Sequence, residues 1–164
     1  MPTIRPATPN DVASIHRFIG KLAEFENLAH DVHATEADLH DALFADPPAA
    51  EALLALTDKD TPAGFALFFH NYSTFAGKRG LYLEDLYVAP QFRNQGFGLA
   101  LLTRLARIAQ ERGCARFEWT VLDWNENAIH FYKKIGAQIL PDWRICRMTK
   151  TQIHSLASSP ILNP

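Results

Sequence analysis

Three groups of residues in this chain have the types and spacing to do chemistry. The first is a pair of adjacent carboxylates, Glu84 and Asp85, within Leu81-Tyr82-Leu83-Glu84-Asp85-Leu86-Tyr87-Val88. Carboxylates in an apolar strand can attract a cation or take its proton, or they can be solvated charges at a strand end. Neighbours on a regular strand point to opposite faces, so both reach one cleft only if a bulge intervenes. The second group is the run Leu86 to Leu99, where Arg93-Asn94-Gln95-Gly96-Phe97-Gly98 leads from an apolar strand into an apolar-striped helix. Glycines permit close backbone approach, and the unpaired N–H groups and dipole of a helix start suit a phosphate or diphosphate. The run has neither the Lys-Ser or Lys-Thr pair of a P-loop nor a GxGxxG opening a βαβ unit. A strand–helix turn whose glycines only relieve sterics is the alternative. The third is Tyr132, in Asn125-Glu126-Asn127-Ala128-Ile129-His130-Phe131-Tyr132. A phenol with a pKa of about 10 is protonated at neutral pH and can serve as a general acid; with Phe131 it could equally be a core aromatic of a short helix.

The elements that must position these residues follow from pattern. Thr3-Ile4-Arg5 reads as a short strand, and Thr8-Pro9-Asn10-Asp11 offers capping oxygens to a helix that runs to about Glu26, with Val12, Ile15, Phe18, Ile19, Leu22 and Phe25 at helical spacing. Thr35-Glu36-Ala37-Asp38 starts a second helix, ended by Pro47-Pro48. Strands are expected at Glu51 to Thr57, Ala63 to His70 and Gly80 to Val88. A helix then runs from Gly98 to about Arg112, where Gly113 stops it. A strand at Ala115 to Leu122, a helix at Asn127 to Ile135 and a last strand near Trp143 to Met148 complete the order, with Ser155 to Pro164 a loosely held tail. No repeat or linker breaks the order, so 1–164 is expected to be one domain with a core of about 3–150.

Composition narrows the classes. A chain of 164 residues, 48% apolar and 21% charged, can bury a core without disulfides or metals. A net charge of -2 gives no general attraction to nucleic acid or anionic lipid, and no apolar run approaches the roughly 20 residues that span a bilayer. Neither nucleic acid nor a membrane is an expected partner. Cys114 and Cys146 are too far apart for a CxxC pair, and His30, Asp31 and His33 lack a compact ligand set, so no metal is expected.

Arg93-Asn94-Gln95-Gly96-Phe97-Gly98 resembles the (Arg/Gln)-x-x-Gly-x-(Gly/Ala) loop of the GNAT superfamily of N-acetyltransferases, and Asn125 to Gly136 is similar to that superfamily's Asn-x-x-Ala-x-x-x-Tyr-x-x-x-Gly segment. Tyr82-Leu83-Glu84-Asp85, with Ile4-Arg5-Pro6-Ala7-Thr8 and Leu22-Ala23-Glu24-Phe25-Glu26, resembles its diamine and thialysine branch, so the likeness covers about Thr3 to Thr149. The resemblance implies an α+β fold: a mixed, mostly antiparallel sheet, two parallel strands splayed at an acetyl-CoA site, and helices on both faces. It implies that Leu86, Tyr87, Val88, Arg93, Asn94, Gln95, Gly96, Phe97, Gly98, Leu99, Asn125, Ala128 and Tyr132 hold the coenzyme. It assigns the amine site to Phe25, Glu26, Glu84, Asp85, Trp119, Thr120 and Trp143, although Trp143 could equally be a core-facing tryptophan of the last strand. Glu84 would take the amine's proton, the Val88 amide would polarise the thioester carbonyl, and Tyr132 would protonate the leaving thiolate. The implied reaction is acetylation of a small cationic amine, a polyamine or diamine, in a cytoplasmic homodimer. Phe25 stands where the animal diamine enzymes usually have tyrosine, and the stretch before Trp143 is short and lacks an acidic pair. Both departures count against a polyamine, and the missing acidic pair leans toward the alternative acceptor, thialysine or a lysine-like amino acid; an acyl-CoA-binding regulator is the non-enzymatic alternative.

Overall fold

The computed structural model describes residues 2–159. They form two compact units, one ending at Thr120 and one starting at Val121.

The first unit holds a five-stranded sheet in the order β1 (Thr3–Pro6), β2 (Glu51–Leu56), β3 (Pro62–Ser73), β4 (Lys78–Val88), β5 (Phe117–Glu118). β1 to β4 pair antiparallel and β4 pairs with β5 in parallel, the mixed, mostly antiparallel sheet expected of an α+β fold. Three helices accompany it: α1 (Val12–Phe25), α2 (Glu36–Phe44) and α3 (Phe97–Glu111). A capping box of Thr35 and Asp38 starts α2, and Thr8 with Asp11 forms another ahead of α1.

Pleating divides the apolar residues between two faces. Ala52, Leu54 and Leu56 of β2 join Val12, Ile15 and Phe18 of α1 and Leu39 and Leu43 of α2 in one cluster. Leu53 and Ala55, also buried, face the other way, where α3 packs on β1 to β4 through Leu101, Leu102, Leu105 and Ile108. Burying each such side chain contributes about 1.5–3 kcal/mol. Phe18 matters to the site, because its ring lies 6.1 Å from Phe65 and 5.5 Å from Tyr87, so α1 is packed on the end of β4.

The main irregularity is in β4. Phe68 pairs with Leu83 and Leu67 with Asp85, which leaves Glu84 as an extra residue. Cross-strand partners share a face, so Leu83 lies with Phe68 on the α3 side while Asp85 and Tyr87 lie with Leu67 and Phe65 on the α1 side. The bulge also accounts for a strand shorter than expected. Pairing of β4 with β5 stops at Tyr82 and Glu118, so the strand expected over Ala115 to Leu122 shrinks to Phe117–Glu118. A bulge bends and overtwists its strand, and here it follows directly on the last pair. From Leu83 to Val88 β4 has no strand on that side among the described residues, which is the expected splay.

The second unit holds α4 (Glu126–Lys134) and α5 (Lys150–Ala157). Gly136, at φ 96°, follows α4 in the left-handed conformation that glycine favours. Two expectations are corrected here. Trp143 to Met148 is not a strand but an irregular, exposed segment. Arg144 and Arg147 break its apolar run, and a strand is not stable without a hydrogen-bonded neighbour. Ser155–Ala157, expected in a loose tail, belong to α5, because Thr149 and Gln152 form a capping box that starts a helix there. Residues 160–164 of that tail lie outside the described residues.

Candidate active site

Between the end of β4 at Val88 and the start of α3 at Phe97 lies a short 3-10 turn, Pro90–Phe92, then the exposed residues Arg93, Asn94, Gln95 and Gly96. Gly96 caps α3 at φ 85° and Asn94 sits at φ 60°. Glycine adopts that region freely and asparagine tolerates it, so the turn can be tight without strain. The first intrahelical bond runs from the Ala100 N–H to the Gly96 carbonyl at 2.9 Å. The amides of Phe97, Gly98 and Leu99 therefore lack a helical acceptor. A Cβ on Gly98 would meet only Val88 Cγ2, at 3.9 Å, so the backbone there is open to a close ligand. Phe97 is buried with its ring 5.8 Å from Phe92, Leu99 is exposed, and Gln95 Nε2 donates to the Gln91 carbonyl at 2.8 Å. Open amides at the positive end of a long helix suit a diphosphate, and the free edge of β4 suits an amide-bearing arm lying beside it. These features fit an acyl-coenzyme A donor.

At the bulge Glu84 and Asp85 stand together opposite Leu67, so the two no longer alternate as they would on a regular strand. Burial pushes the Asp85 carboxyl up to about 6, and the charges of Glu84 and Glu26 push in the same direction. Glu26, the C-cap of α1, is also raised, by burial. Glu84 is exposed. No base answers these acids: among the described residues the Asp85 carboxylate has no side-chain hydrogen bond or ion pair. Phe25, 42% exposed, stands beside Glu26. Three carboxylates with no ion-pair partner among the described residues are the complement of an ammonium group, and a carboxyl near 6 is placed to exchange its proton near neutral pH.

Gly64 is a site residue that the sequence reading missed. It pairs with Val88, and a Cβ there would lie 2.3 Å from the Tyr87 carbonyl oxygen and 3.1 Å from Val88 Cα. Only glycine lets β3 approach the end of β4 so closely. The available signal was a lone glycine inside an apolar strand.

Trp119 follows β5 with its ring 4.9 Å from Phe117, and Thr120 beside it is exposed. In the second unit Asn125 caps α4, its Oδ1 accepting the Ala128 N–H at 3.3 Å, so part of that side chain's hydrogen bonding serves the helix. Tyr132 is buried on α4 with its ring 5.6 Å from Phe131. Trp143 is 79% exposed in the irregular segment. Among the described residues no cluster of His, Cys, Asp and Glu is arranged to hold a metal, and no helix is long and apolar enough to cross a membrane.

A glycine-opened helix start beside a splayed strand, in this sheet order, defines an acyl-CoA-dependent N-acetyltransferase fold, and comparison with known proteins agrees. The acetyltransferase (GNAT) family model matches residues 19–137, a span that crosses the boundary between the two units. L-ornithine N5-acetyltransferase NATA1 of Arabidopsis thaliana is 36% identical over 93% of this chain and 86% of its own length. Thialysine N-epsilon-acetyltransferase of Mus musculus is 39% identical over 85% of both chains. An integron cassette protein from the mobile metagenome of V. cholerae superposes with a TM-score of 0.79 at 26% identity, over 96% of this chain and 98% of the other. The chain belongs to the acetyltransferase (GNAT) family and is an N-acetyltransferase, a family whose acyl donor is acetyl-CoA.

Proposed function

We propose that this enzyme transfers the acetyl group of acetyl-CoA to the distal primary amine of a small basic amino acid of the ornithine, lysine or thialysine kind. The observation that carries the proposal is the bulge at Glu84, which breaks the alternation of Glu84 and Asp85 where the charges of Glu84 and Glu26 both act on Asp85. Relatives named for ornithine and thialysine, at 36% and 39% identity, support an amino acid in preference to the polyamine or diamine first expected. The loop Arg93 to Gly96 and the first amides of α3 hold the coenzyme's diphosphate, with Leu86, Tyr87 and Val88 along its arm, Leu99 beyond the loop, and Asn125 and Ala128 contributing from α4. Phe25, Glu26, Asp85, Trp119, Thr120 and Trp143 bound the amine.

The chemistry runs in a ternary complex. Glu84, directly or through a water, takes a proton from the ammonium group; the freed nitrogen lone pair attacks the thioester carbonyl, whose oxygen is polarised by the Val88 amide. The carbon–sulfur bond breaks as Tyr132 gives its phenolic proton to the departing sulfur, and the nitrogen's second proton passes through water to the tyrosinate, yielding the N-acetyl product, coenzyme A thiol and restored Tyr132, with the first proton released from Glu84 to solvent. No acyl-enzyme forms, and neither cysteine takes part. We further infer one catalytic domain acting as a homodimer, on the strength of the family resemblance, and a cytoplasmic location without nucleic-acid or membrane partners, on the strength of the net charge and the lack of a long apolar run.

Thiol release from acetyl-CoA with ornithine, lysine, thialysine, putrescine, spermidine and glycine tests the proposal. Turnover should be highest with the basic amino acids and should fall in both Tyr132→Phe and Glu84→Gln, with coenzyme affinity little changed in the first. Turnover confined to spermidine or putrescine would return the assignment to polyamines. Coenzyme A binding without turnover of any amine would favour the acyl-CoA-binding regulator.

A further inference from the structure

Arg93 belongs to the diphosphate loop, yet its side chain turns back toward the amine side. Its Nε donates to the Val88 carbonyl at 3.0 Å, and its guanidinium carbon lies 5.4 Å from the centroid of the Phe25 ring and 5.9 Å from that of Tyr87. Arg93 makes no ion pair among the described residues. One side chain thus bonds to Val88 at the end of β4 and lies near the aromatic ring at the end of α1 and the Tyr87 ring. Phe25 precedes Glu26, whose charge acts on Asp85. A planar guanidinium can donate a hydrogen bond in its plane while its face lies over a ring, which neither lysine nor glutamine can reproduce.

We propose that Arg93 is a positioning residue that couples the two substrate sites. Coenzyme A bound at the loop fixes the guanidinium, the guanidinium fixes the Phe25 ring, and the amine then meets an ordered wall. The coenzyme-loaded protein therefore binds the amine more tightly than the empty protein, and by linkage the amine tightens coenzyme binding by the same factor. A half-exposed cation–π contact sets that factor at about three- to fivefold. The inference rests on the reading that the amine lies on the Phe25 side of β4.

Two measurements test it. With the amine that gives turnover, calorimetry on empty and coenzyme A-saturated protein should give an affinity ratio of about three to five, falling to about one in Arg93→Gln and Phe25→Leu and restored in Phe25→Tyr. Separately, with Phe25 replaced by p-fluorophenylalanine, the fluorine resonance should shift when coenzyme A saturates the protein and should not shift when Arg93→Gln is also present. A ratio of one in the wild type, or a ratio and fluorine shift that survive Arg93→Gln, would overturn the coupling. Loss of coenzyme affinity alone in Arg93→Gln, with the ratio intact, would overturn it too. The fluorine measurement needs no amine, so a missing shift in the wild type overturns the link from coenzyme to Phe25 even if the amine assignment fails.

Discussion

Asp11 and Asp85 are both withdrawn from solvent in the first unit, one at the start of α1 and the other within reach of Glu26 at its end. Asp11 is fully answered. Arg5 forks onto both its oxygens at 2.6 and 2.8 Å, and the Thr8 N–H and hydroxyl donate to Oδ2 at 2.7 and 2.8 Å. The Arg5 hydrogen bond above all holds the carboxyl down to about 2. Asp85 receives two further acids in place of a base, and burial lifts it to about 6. The same residue type on the same face of one sheet is thus a strut in one place and a poised charge in the other. A fold that can satisfy Asp11 so completely leaves Asp85 unsatisfied at a cost in stability, and in the proposed reading a bound ammonium removes that cost.

The contrast breaks if the two positions respond alike to neutralisation. Asp85→Asn should lower kcat/KM for the amine by about 100-fold, since it removes a charge that meets the substrate in a partly desolvated site. It should also raise stability at pH 7.5 by about 2 kcal/mol, because a buried ionised carboxylate is no longer required. Urea denaturation beside steady-state kinetics reads both. A loss of stability together with activity would make Asp85 another strut.

Asp11→Asn is the mirror experiment. Arg5 is about a third exposed, which limits its loss, but the charge-assisted bonds are several, so stability should fall by about 2 kcal/mol. With the amine side of α1 untouched, kcat/KM should stay within about twofold once the protein is folded. Urea midpoints and amine kinetics at a temperature where the variant is native decide it.

How much of this contrast was legible in the sequence depends on the range of the interactions. Thr8 and Asp11 form a local signal three residues apart, and the helix start was read from it. α3 and strands β2 to β4 were legible because their apolar patterns are long and regular. The adjacent carboxylates showed that a bulge was needed if both were to act, but not that one exists, since a bulge is a property of the pairing of β3 with β4. The requirement for Gly64 also arises from pairing, through the approach of the Tyr87 carbonyl. Trp143 to Met148 has strand-compatible residues, but a strand depends on a neighbour that local pattern does not contain.

Acid sharpens the comparison, because the two groups act in different pH windows. Asp11, depressed to about 2, contributes stability that is complete above its ordinary value of 3.8 and is lost as pH falls toward 2. Asp85, raised to about 6, costs nothing while protonated in both states; its cost grows as pH rises from about 4 and is complete above about 6. The wild type should therefore gain about 1 kcal/mol from this group between pH 7.5 and pH 5. Asp85→Asn should abolish that gain and Asp11→Asn should leave it intact, as urea midpoints across the pH range would show.

The smallest effect separates the causes that raise Asp85. Burial ranks first, the charge of Glu84 second and that of Glu26 third. Glu26→Gln removes only the last, from a partly screened position, so the apparent pKa in the pH profile of kcat/KM should fall by a few tenths of a unit. Glu84→Gln should lower the apparent pKa further, in stability titration if turnover is too weak to follow. Neither variant should return Asp85 to the ordinary carboxylate range, because each leaves it buried. A full return in Glu26→Gln would mean that repulsion from the end of α1, and not the dryness of the bulged strand, keeps Asp85 poised, and the contrast with Asp11 would then lie in neighbours alone.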